Sequence, residues 1–237
     1  MQDAPSTPRV ALISGAGRGI GLAIARELLA NGWCISAGTR NAIGAFDGFP
    51  AAQVHRARFD AEDSASEDAW IESAMARYGR IDALIHNAGI LSKTPVIEAT
   101  DDEFDRLFAV NVKSPMRLTR KAWPHLIASG GGKVLVMASL AGKRVRAPEG
   151  TLYAMSKFAV LALAHGIRHC GDPHQIRCTA ICPGFVATDM ADGVPAEIKT
   201  RLTQPEDIAR MARLVLELPP SASVAEIPIS WQVESEY

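Results

Sequence analysis

The stretch Val10-Ala11-Leu12-Ile13-Ser14-Gly15-Ala16-Gly17-Arg18-Gly19-Ile20-Gly21 joins a short, uninterrupted apolar run to a cluster of four glycines. An apolar run of this length without alternation suits a strand covered on both faces of a parallel sheet. Beyond it, Ile20, Leu22-Ala23-Ile24 and Leu28-Leu29 fall on a helical stripe that stops at Asn31-Gly32. Glycines between a strand and a helix let the backbone turn tightly and approach a ligand. The helix start then offers unpaired N–H groups and a partial positive charge to a pyrophosphate. Nucleotide binding is the expectation, with an ordinary tight turn as the alternative.

The same alternation continues. Trp33 to Ala37 reads as strand, and Asp60 follows an apparent third strand. Ala69 to Tyr78 reads as helix, Ile81 to Ile85 as strand, and Phe104 to Ile127 as a long helical region with a break at Ser114-Pro115. Lys133 to Met137 and Arg177 to Ile181 read as strands on either side of a helix from Tyr153 to Arg168. Strands alternating with helices require right-handed crossovers and a parallel sheet covered on both faces. The expected fold is therefore α/β, a doubly wound, mostly parallel, Rossmann-like sheet in a single domain spanning 1–237. Ligands of such folds lie at the carboxyl ends of the strands.

Composition narrows the partners. With 25 Lys+Arg against 26 Asp+Glu the formal charge is −1, so no basic excess is present to neutralise the phosphates of a nucleic acid or an anionic membrane. Neither is expected as a partner. The polar segment Met1 to Pro8 and the short run after it do not make a signal peptide or membrane span, and residues 1–8 are expected to be flexible. Cys34, Cys170, Cys178 and Cys182 lack Cys-x-x-Cys spacing and form no zinc pattern, so no metal is expected and the four read as small buried apolar residues. A reducing cytoplasm is the expected compartment.

Read from Gly15, the glycine spacing is not Gly-x-Gly-x-x-Gly. It resembles the Thr-Gly-x-x-x-Gly-x-Gly turn of the short-chain dehydrogenase/reductase (SDR) family, with Ser14 in place of threonine and its hydroxyl retained. The resemblance runs from Val10 to about Ala209. Tyr153 and Lys157 stand four residues apart, on one face of a helix. Together with Ser139 just past a strand and Asn111 in a helix after Asn87-Ala88-Gly89, they match the family's catalytic Asn, Ser, Tyr and Lys in order and spacing. The resemblance implies that Ser14, Gly15, Arg18, Gly19, Ile20 and Gly21 hold the cofactor pyrophosphate. It implies that Asn87, Ala88 and Gly89 border the cofactor and that the loop Pro183-Gly184-Phe185-Val186-Ala187-Thr188 holds the nicotinamide carboxamide, through Pro183, Gly184, Val186 and Thr188 in particular.

The chemistry needs these residue types. A phenol ionises near pH 10, so Tyr153 is a poor base unless a cation stabilises its phenolate. Lys157, with the charge of an oxidised nicotinamide, is expected to bring Tyr153 toward the working pH, and also to hold the nicotinamide ribose. Ser139 is expected to hydrogen-bond the substrate oxygen as charge develops there. By resemblance Asn111 holds a water that links the lysine to solvent.

For the choice of nicotinamide cofactor, a carboxylate about 20 residues past the glycines selects NAD, whereas an arginine accepts a 2′-phosphate. No carboxylate occurs between Glu27 and Asp47. By resemblance Thr39 occupies the place of the NAD-selecting aspartate and Arg40 follows it, with Arg18 as a second cation, so NADP(H) is favoured and NAD(H) is the alternative. Both arginines read otherwise as surface charges. Asp60 matches the family position beside the adenine.

Departures from the family pattern mark its limits. His86 replaces the first asparagine of Asn-Asn-Ala-Gly and reads as a structural residue, while Ala138 stands where many members carry a further serine. The region 189–203 is expected to close over substrate. Lys143, Arg144 and Arg146 read as a solvated basic loop rather than a site for an acidic substrate. The segment 224–237 is an atypical C-terminal strand, Ile227 to Trp231, and a fraying acidic tail, without the family's glycine pair. An apolar helix from Phe158 through Ala164 fits a homodimer or homotetramer. The functional expectation is an NADP(H)-dependent oxidoreductase moving a hydride between nicotinamide and a small-molecule carbonyl or secondary alcohol, with Tyr153 as general acid/base. The alternatives are a catalytically silent cofactor-binding regulatory protein and an NAD-linked alcohol dehydrogenase.

Overall fold

The computed structural model describes residues 8–41 and 46–233. The expected flexible segment, apart from Pro8, and the acidic tail from Glu234 lie outside the described residues. The strands are β1 (Val10–Ser14), β2 (Cys34–Thr39), β3 (Val54–Arg58), β4 (Ala83–His86), β5 (Lys133–Met137), β6 (Arg177–Pro183) and β7 (Glu226–Ile229). The helices are α1 (Gly19–Ala30), α2 (Ser64–Tyr78), α3 (Asp101–Phe108), α4 (Ser114–Ala128), α5 (Thr151–Gly171), the single turn α6 (Ala196–Lys199) and α7 (Pro205–Glu217). All seven strands pair in parallel, in the order β3-β2-β1-β4-β5-β6-β7. This is the doubly wound, Rossmann-like sheet that the alternating pattern predicts.

Period-two alternation divides the core between the two faces of the sheet. Leu12, Leu84, Val134 and Val136 pack with Trp70 of α2, Leu118 of α4 and Val160 of α5. Ile13, Ile85, Leu135 and Met137 point the other way, onto Ile24 and Leu28 of α1 and Ile208 of α7. Because both faces are covered, the strands read in sequence as continuous apolar runs. The order reverses between β1 and β4, whose residues pair as Ile13 with Ile85. The carboxyl ends of these two strands therefore open a crevice.

Local signals set the helix boundaries. Asp63 caps α2 by accepting from the Ala65 and Ser66 amides, so the helix begins five residues before the expected start at Ala69. Gly79, at φ 71°, ends it in the left-handed conformation. The irregularity expected at Ser114-Pro115 lies one turn earlier, as a π-helical turn at Ala109–Lys113 with Pro115 in the first turn of α4. A proline at position 115 offers no N–H to the carbonyl four residues back, that of Asn111, so the regular hydrogen-bond ladder is interrupted there. The final strand is shifted slightly from expectation and carries Pro228 at the sheet edge, opposite Cys182. Cys34, Cys178 and Cys182 are buried, but Cys170, near the outer end of α5, is exposed and corrects the expectation that all four are.

Candidate active site

The glycine turn between β1 and α1 is knitted to the loop after β4. Gly15 and Gly19 take φ of 69° and 53°, the left-handed region that glycine enters without strain. A Cβ on Gly21 would stand 2.4 Å from both Asn87 Nδ2 and the Gly15 carbonyl oxygen, so no larger residue fits while the turn keeps this shape. The hydroxyl of Ser14 accepts from the Asn87 and Ala88 amides at 3.0 and 3.1 Å. Asn87 returns two hydrogen bonds, from Nδ2 to the Ser14 and Gly15 carbonyls, both 3.1 Å. Ser14 is thus framework, while Gly15, Gly17, Arg18, Gly19, Ile20 and Asn87 line the cleft.

At the outer end of the cleft, beside β2 and β3, Thr39, Arg40 and Asp60 line one wall. Arg40 is exposed, while the Thr39 hydroxyl donates to the Asn41 carbonyl at 2.8 Å. Asp60 accepts from the Glu62 amide at 3.1 Å. Arg18 does not turn toward this end. It pairs with Asp189 at 2.9 Å across the cleft, with both side chains more than half exposed.

The inner end brings the expected catalytic residues together. Tyr153 and Lys157 sit one turn apart on α5, and Ser139 begins the turn after β5, its Oγ accepting from the Ala141 amide at 3.1 Å. Ser139 is hydrogen-bonded to the Tyr153 side chain and donates to the Pro183 carbonyl at 3.3 Å. Lys157 Nζ donates to the Met137 carbonyl at 2.8 Å and lies 5.6 Å from the Tyr153 ring centre. Asn111 stands on the π-helical turn. Its Oδ1 accepts from the Ile90 amide at 2.9 Å, and its Nδ2 donates to the Ile90 carbonyl and the Ser156 hydroxyl, each at 3.0 Å. A Cβ on Gly89 would lie 3.3 Å from Asn111 Oδ1 and 3.8 Å from Lys157 Nζ, so Gly89 is where these two side chains converge.

Burial governs the ionisation of this cluster. It pushes the Tyr153 hydroxyl up to about 12, only partly offset by the Ser139 hydrogen bond, and brings the Lys157 ammonium down to about 8. The expected lowering of Tyr153 by Lys157 is therefore absent among the chain's own charges. Desolvation of a half-buried phenol at the cleft wall outweighs an ammonium displaced toward the Met137 carbonyl.

The loop after β6 closes the cleft. Pro183, Gly184, Val186 and Thr188 all line it. Val186 bridges to Thr203, and a Cβ on Gly19 would meet Thr188 Cγ2 at 3.3 Å, so this loop abuts the glycine turn. The cleft encloses about 880 Å³ in all, at the upper end of the usual range for ligand sites.

Other expectations separate cleanly. His86 is buried, shares a 2.7 Å hydrogen bond with Thr119 and is held near 3 by burial, so it is a neutral structural histidine. The basic segment after Ser139 is not a uniformly solvated loop. Lys143 bonds Glu226 of β7 at 2.6 Å, and Arg144 Nη1 donates to the Leu140 carbonyl at 3.1 Å. Arg144 and Arg146 line the cleft and Lys143 does not. Sequence reading missed Glu226, which also bonds His165 of α5 at 2.7 Å, because nothing in the local pattern of β7 marks a partner for Lys143. It also missed Ser156, although the residue next to Lys157 on the same helix was open to inspection.

Among the described residues no helix is long and apolar enough to cross a membrane. Residues 9–199 match the family model for short chain dehydrogenase. An agropine synthesis reductase of Rhizobium rhizogenes is 38% identical over 229 residues, covering 95% of this chain and 53% of that protein. The chain thus spans about half the length of that relative. An alcohol dehydrogenase from the archaeon Thermococcus sibiricus, solved with 5-hydroxy-NADP, superposes with a TM-score of 0.85 at 28% identity, covering 97% of this chain and 99% of that one. A 3-ketoacyl-(acyl-carrier-protein) reductase from Brucella melitensis, solved with NADH, gives a TM-score of 0.82 at 25% identity, covering 94% and 97%.

Proposed function

The chain belongs to the short chain dehydrogenase family, and from that membership we propose that it is an NADP(H)-dependent oxidoreductase reducing a small carbonyl compound to an alcohol. The observation that carries the reading is the hydrogen-bonded pair Ser139 and Tyr153, with Lys157 one turn along, at the inner end of a cleft that starts at the glycine turn. The donor set fits a nicotinamide dinucleotide: backbone amides at the start of α1 for the pyrophosphate and Asp60 beside the adenine. Arg40, with Thr39 and no carboxylate at the end of β2, suits a 2′-phosphate. Asn87, Ala88, Gly89, Lys157 and the loop from Pro183 to Thr188 would hold the nicotinamide end. When bound, the cofactor supplies the hydride to the carbonyl carbon.

The chain's own residues handle the oxygen. Ser139 Oγ donates to the carbonyl oxygen, and Tyr153 gives its hydroxyl proton as the O–H bond of the product alcohol forms. A phenol raised to about 12 is protonated at neutral pH, the form in which Tyr153 serves as the acid. Asn111 acts as a positioning residue, tying the π-helical turn to Ile90 and to Ser156 beside Lys157. The segment 189–203, which brings Met190 to the cleft, is the part proposed to close on substrate. The outer face of α5 exposes Met155 and Phe158, a surface suited to a homodimer or homotetramer, and the buried thiols suit a reducing cytoplasm.

Titration with NADPH and NADH, followed by absorbance decay against a ketone and aldehyde panel with Tyr153→Phe as blank, tests this reading. Preferential NADPH binding with turnover lost in the variant supports it. Tight binding without turnover favours a silent cofactor-binding protein, equal binding of both cofactors an NAD-linked enzyme, and no binding of either overturns the reading.

A further inference from the structure

Resting on that reductase reading, we propose that Glu226 is a positioning residue for the reaction: from the edge strand β7 its carboxylate holds the turn that carries Ser139 against the helix that carries Tyr153 and Lys157. The carboxylate divides its two oxygens between these elements. Oε2 accepts from Lys143 Nζ at 2.6 Å, and Oε1 accepts from His165 Nε2 at 2.7 Å. Lys143 is the residue that ends the short turn Leu140–Gly142, which Ser139 begins. His165 lies on α5 beyond Lys157, by about two helical turns. Arg168 Nη1 donates to His165 Nδ1 at 3.4 Å, so Nε2 is the ring nitrogen that carries the hydrogen for Glu226.

Glu226, Lys143 and His165 do not line the cleft, so the three act on the reaction only through what they hold. The need for such a hold follows from the chemistry at the inner end. In the free site the Ser139 and Tyr153 side chains are hydrogen-bonded to each other. A carbonyl oxygen that takes both as donors stands between them, and that direct tie is given up. The spacing of turn and helix is then left to contacts outside the cleft. One is the backbone seat of Gly142, where an added Cβ would stand 2.6 Å from the Lys157 carbonyl oxygen, and the Glu226 bridge is a second. Glu226 is itself placed by the sheet, since it pairs with Ala180 in a register that sets Cys182 opposite Pro228 and Pro183 opposite Ile229. The carbonyl of Pro183 accepts from Ser139 at 3.3 Å, so β6 and β7 support the turn at both its ends. The buried Cys182 thiol is close enough to Glu226, Lys143 and Lys157 for each to act on its ionisation, so the bridge and Lys157 share a neighbour. Side-chain exposures of 22% for Glu226 and 21% for Lys143 set the pair apart from a fully solvated one, which would hold its elements loosely. The Lys143 ammonium keeps the Glu226 carboxyl below the usual carboxylate range in spite of burial, so the bridge is charged at neutral pH.

The test uses the whole chain with NADPH and benzaldehyde, acetophenone, 2-octanone and cyclohexanone. The compound of highest kcat/KM is carried through Glu226→Ala, Glu226→Gln, Lys143→Met and the double variant of Lys143→Met with Glu226→Ala. Glu226→Ala and Lys143→Met are each expected to lower kcat by about tenfold or more, with KM and the NADPH dissociation constant within about twofold of wild type. The double variant should fall no further than the worse single one, because both remove the same contact. Glu226→Gln, which keeps an oxygen for Lys143 but turns an amide N–H toward His165, should be intermediate. Exchanging the two charges, Lys143→Glu with Glu226→Lys, should restore part of kcat. Should Glu226→Ala fold poorly, Lys143→Met and the charge exchange carry the same comparison. A pair that only stabilises the fold would lower the unfolding temperature and leave kcat of the folded enzyme unchanged. That outcome overturns the proposal while keeping the reductase reading, as do additive losses in the double variant or a loss shared equally by kcat and NADPH affinity. No turnover of any compound by the wild-type chain overturns the reductase reading itself, and the proposal with it.

Discussion

Gly142 lies so close to helix α5 that a Cβ built on it would stand 2.6 Å from the carbonyl oxygen of Lys157. The turn that begins at Ser139 is therefore seated directly on the helix that carries Tyr153 and Lys157. Gly142→Ala forces that turn away from the helix backbone, which has no flexible side-chain end to yield. Overpacking of this kind costs about 1–3 kcal/mol in stability. The expected kinetic result is a fall in kcat of at least about tenfold, since small displacements of positioning groups are costly, with NADPH affinity nearly unchanged. Steady-state kinetics alongside NADPH fluorescence titration measure the split.

Lys157, brought down to about 8 by burial, sets a pH limit. Below that value it is an ammonium beside Tyr153. As pH rises through about 8 the charge is lost, while Tyr153, at about 12, remains protonated. Reductive kcat/KM is expected to be level at neutral pH and to decline above about 8. Lys157→Arg should extend the plateau to higher pH even if its height falls. Tyr153→Phe should lower kcat by about 10²–10⁴ at every pH, the usual worth of a positioned acid.

The proposed preference for NADP(H) places cofactor choice at the end of β2. Arg40→Ala should weaken NADPH binding by about tenfold or more and leave NADH nearly unaffected, because only the 2′-phosphate meets the guanidinium. Thr39→Asp should reverse the preference by placing a carboxylate where it repels that phosphate and accepts from a ribose hydroxyl. Dissociation constants for both cofactors on each variant decide it, and equal losses on Arg40→Ala would remove Arg40 from this role.

Away from the cleft, Glu67 of α2 is fully buried and accepts from Ser114 and Arg117 of the π-helical turn's neighbour α4, both at 2.8 Å, with Lys121 at 3.3 Å. Glu67→Ala strips the largely shielded Arg117 of its carboxylate, while Lys121 keeps Asp68 at 2.8 Å. The expected loss is about 3 kcal/mol, the lower end for a broken buried pair, since Arg117 and Lys121 keep some contact with water. Thermal unfolding should shift down by roughly 6–12 °C.

His86 adds an acid sensitivity. It ionises near 6.5 when unfolded and near 3 when buried beside Thr119, so below 6.5 the unfolded chain takes up the proton first. Stability then falls as pH drops from about 6.5 toward about 3, at about 1.4 kcal/mol per pH unit for this one group. Denaturant melts across that range should be correspondingly flatter for His86→Asn.

Much of the fold was legible because its signals are local. Buried parallel strands are continuous apolar runs, and Gly15, Gly19 and Gly21 mark a turn that excludes larger residues. Where the reading slipped, a capping or backbone effect moved the boundary. Asp63 started α2 early, and the missing amide of Pro115 acted a turn upstream, at Asn111. The Ser139, Tyr153 and Lys157 cluster was readable from spacing, but its ionisation was not. How far desolvation raises Tyr153 in the chain alone depends on how the cleft covers the phenol, which spacing does not record.

The sequence by itself determined the family of this protein, through a glycine turn between a strand and a helix and a serine, tyrosine and lysine at the family's spacing. Such motifs are written within single strand-turn-helix units, where backbone geometry enforces fixed spacings. Only the tertiary structure decided which charges face the cleft. Lys143 is taken out of it by Glu226, 83 residues further along the chain, and Arg18 is drawn across it to Asp189, 171 residues away. Arg144 and Arg146 line the cleft, and Lys143 does not. Ion pairs between distant strands and loops are set by the docking of the sheet edge and its covering helices, and no local spacing records them.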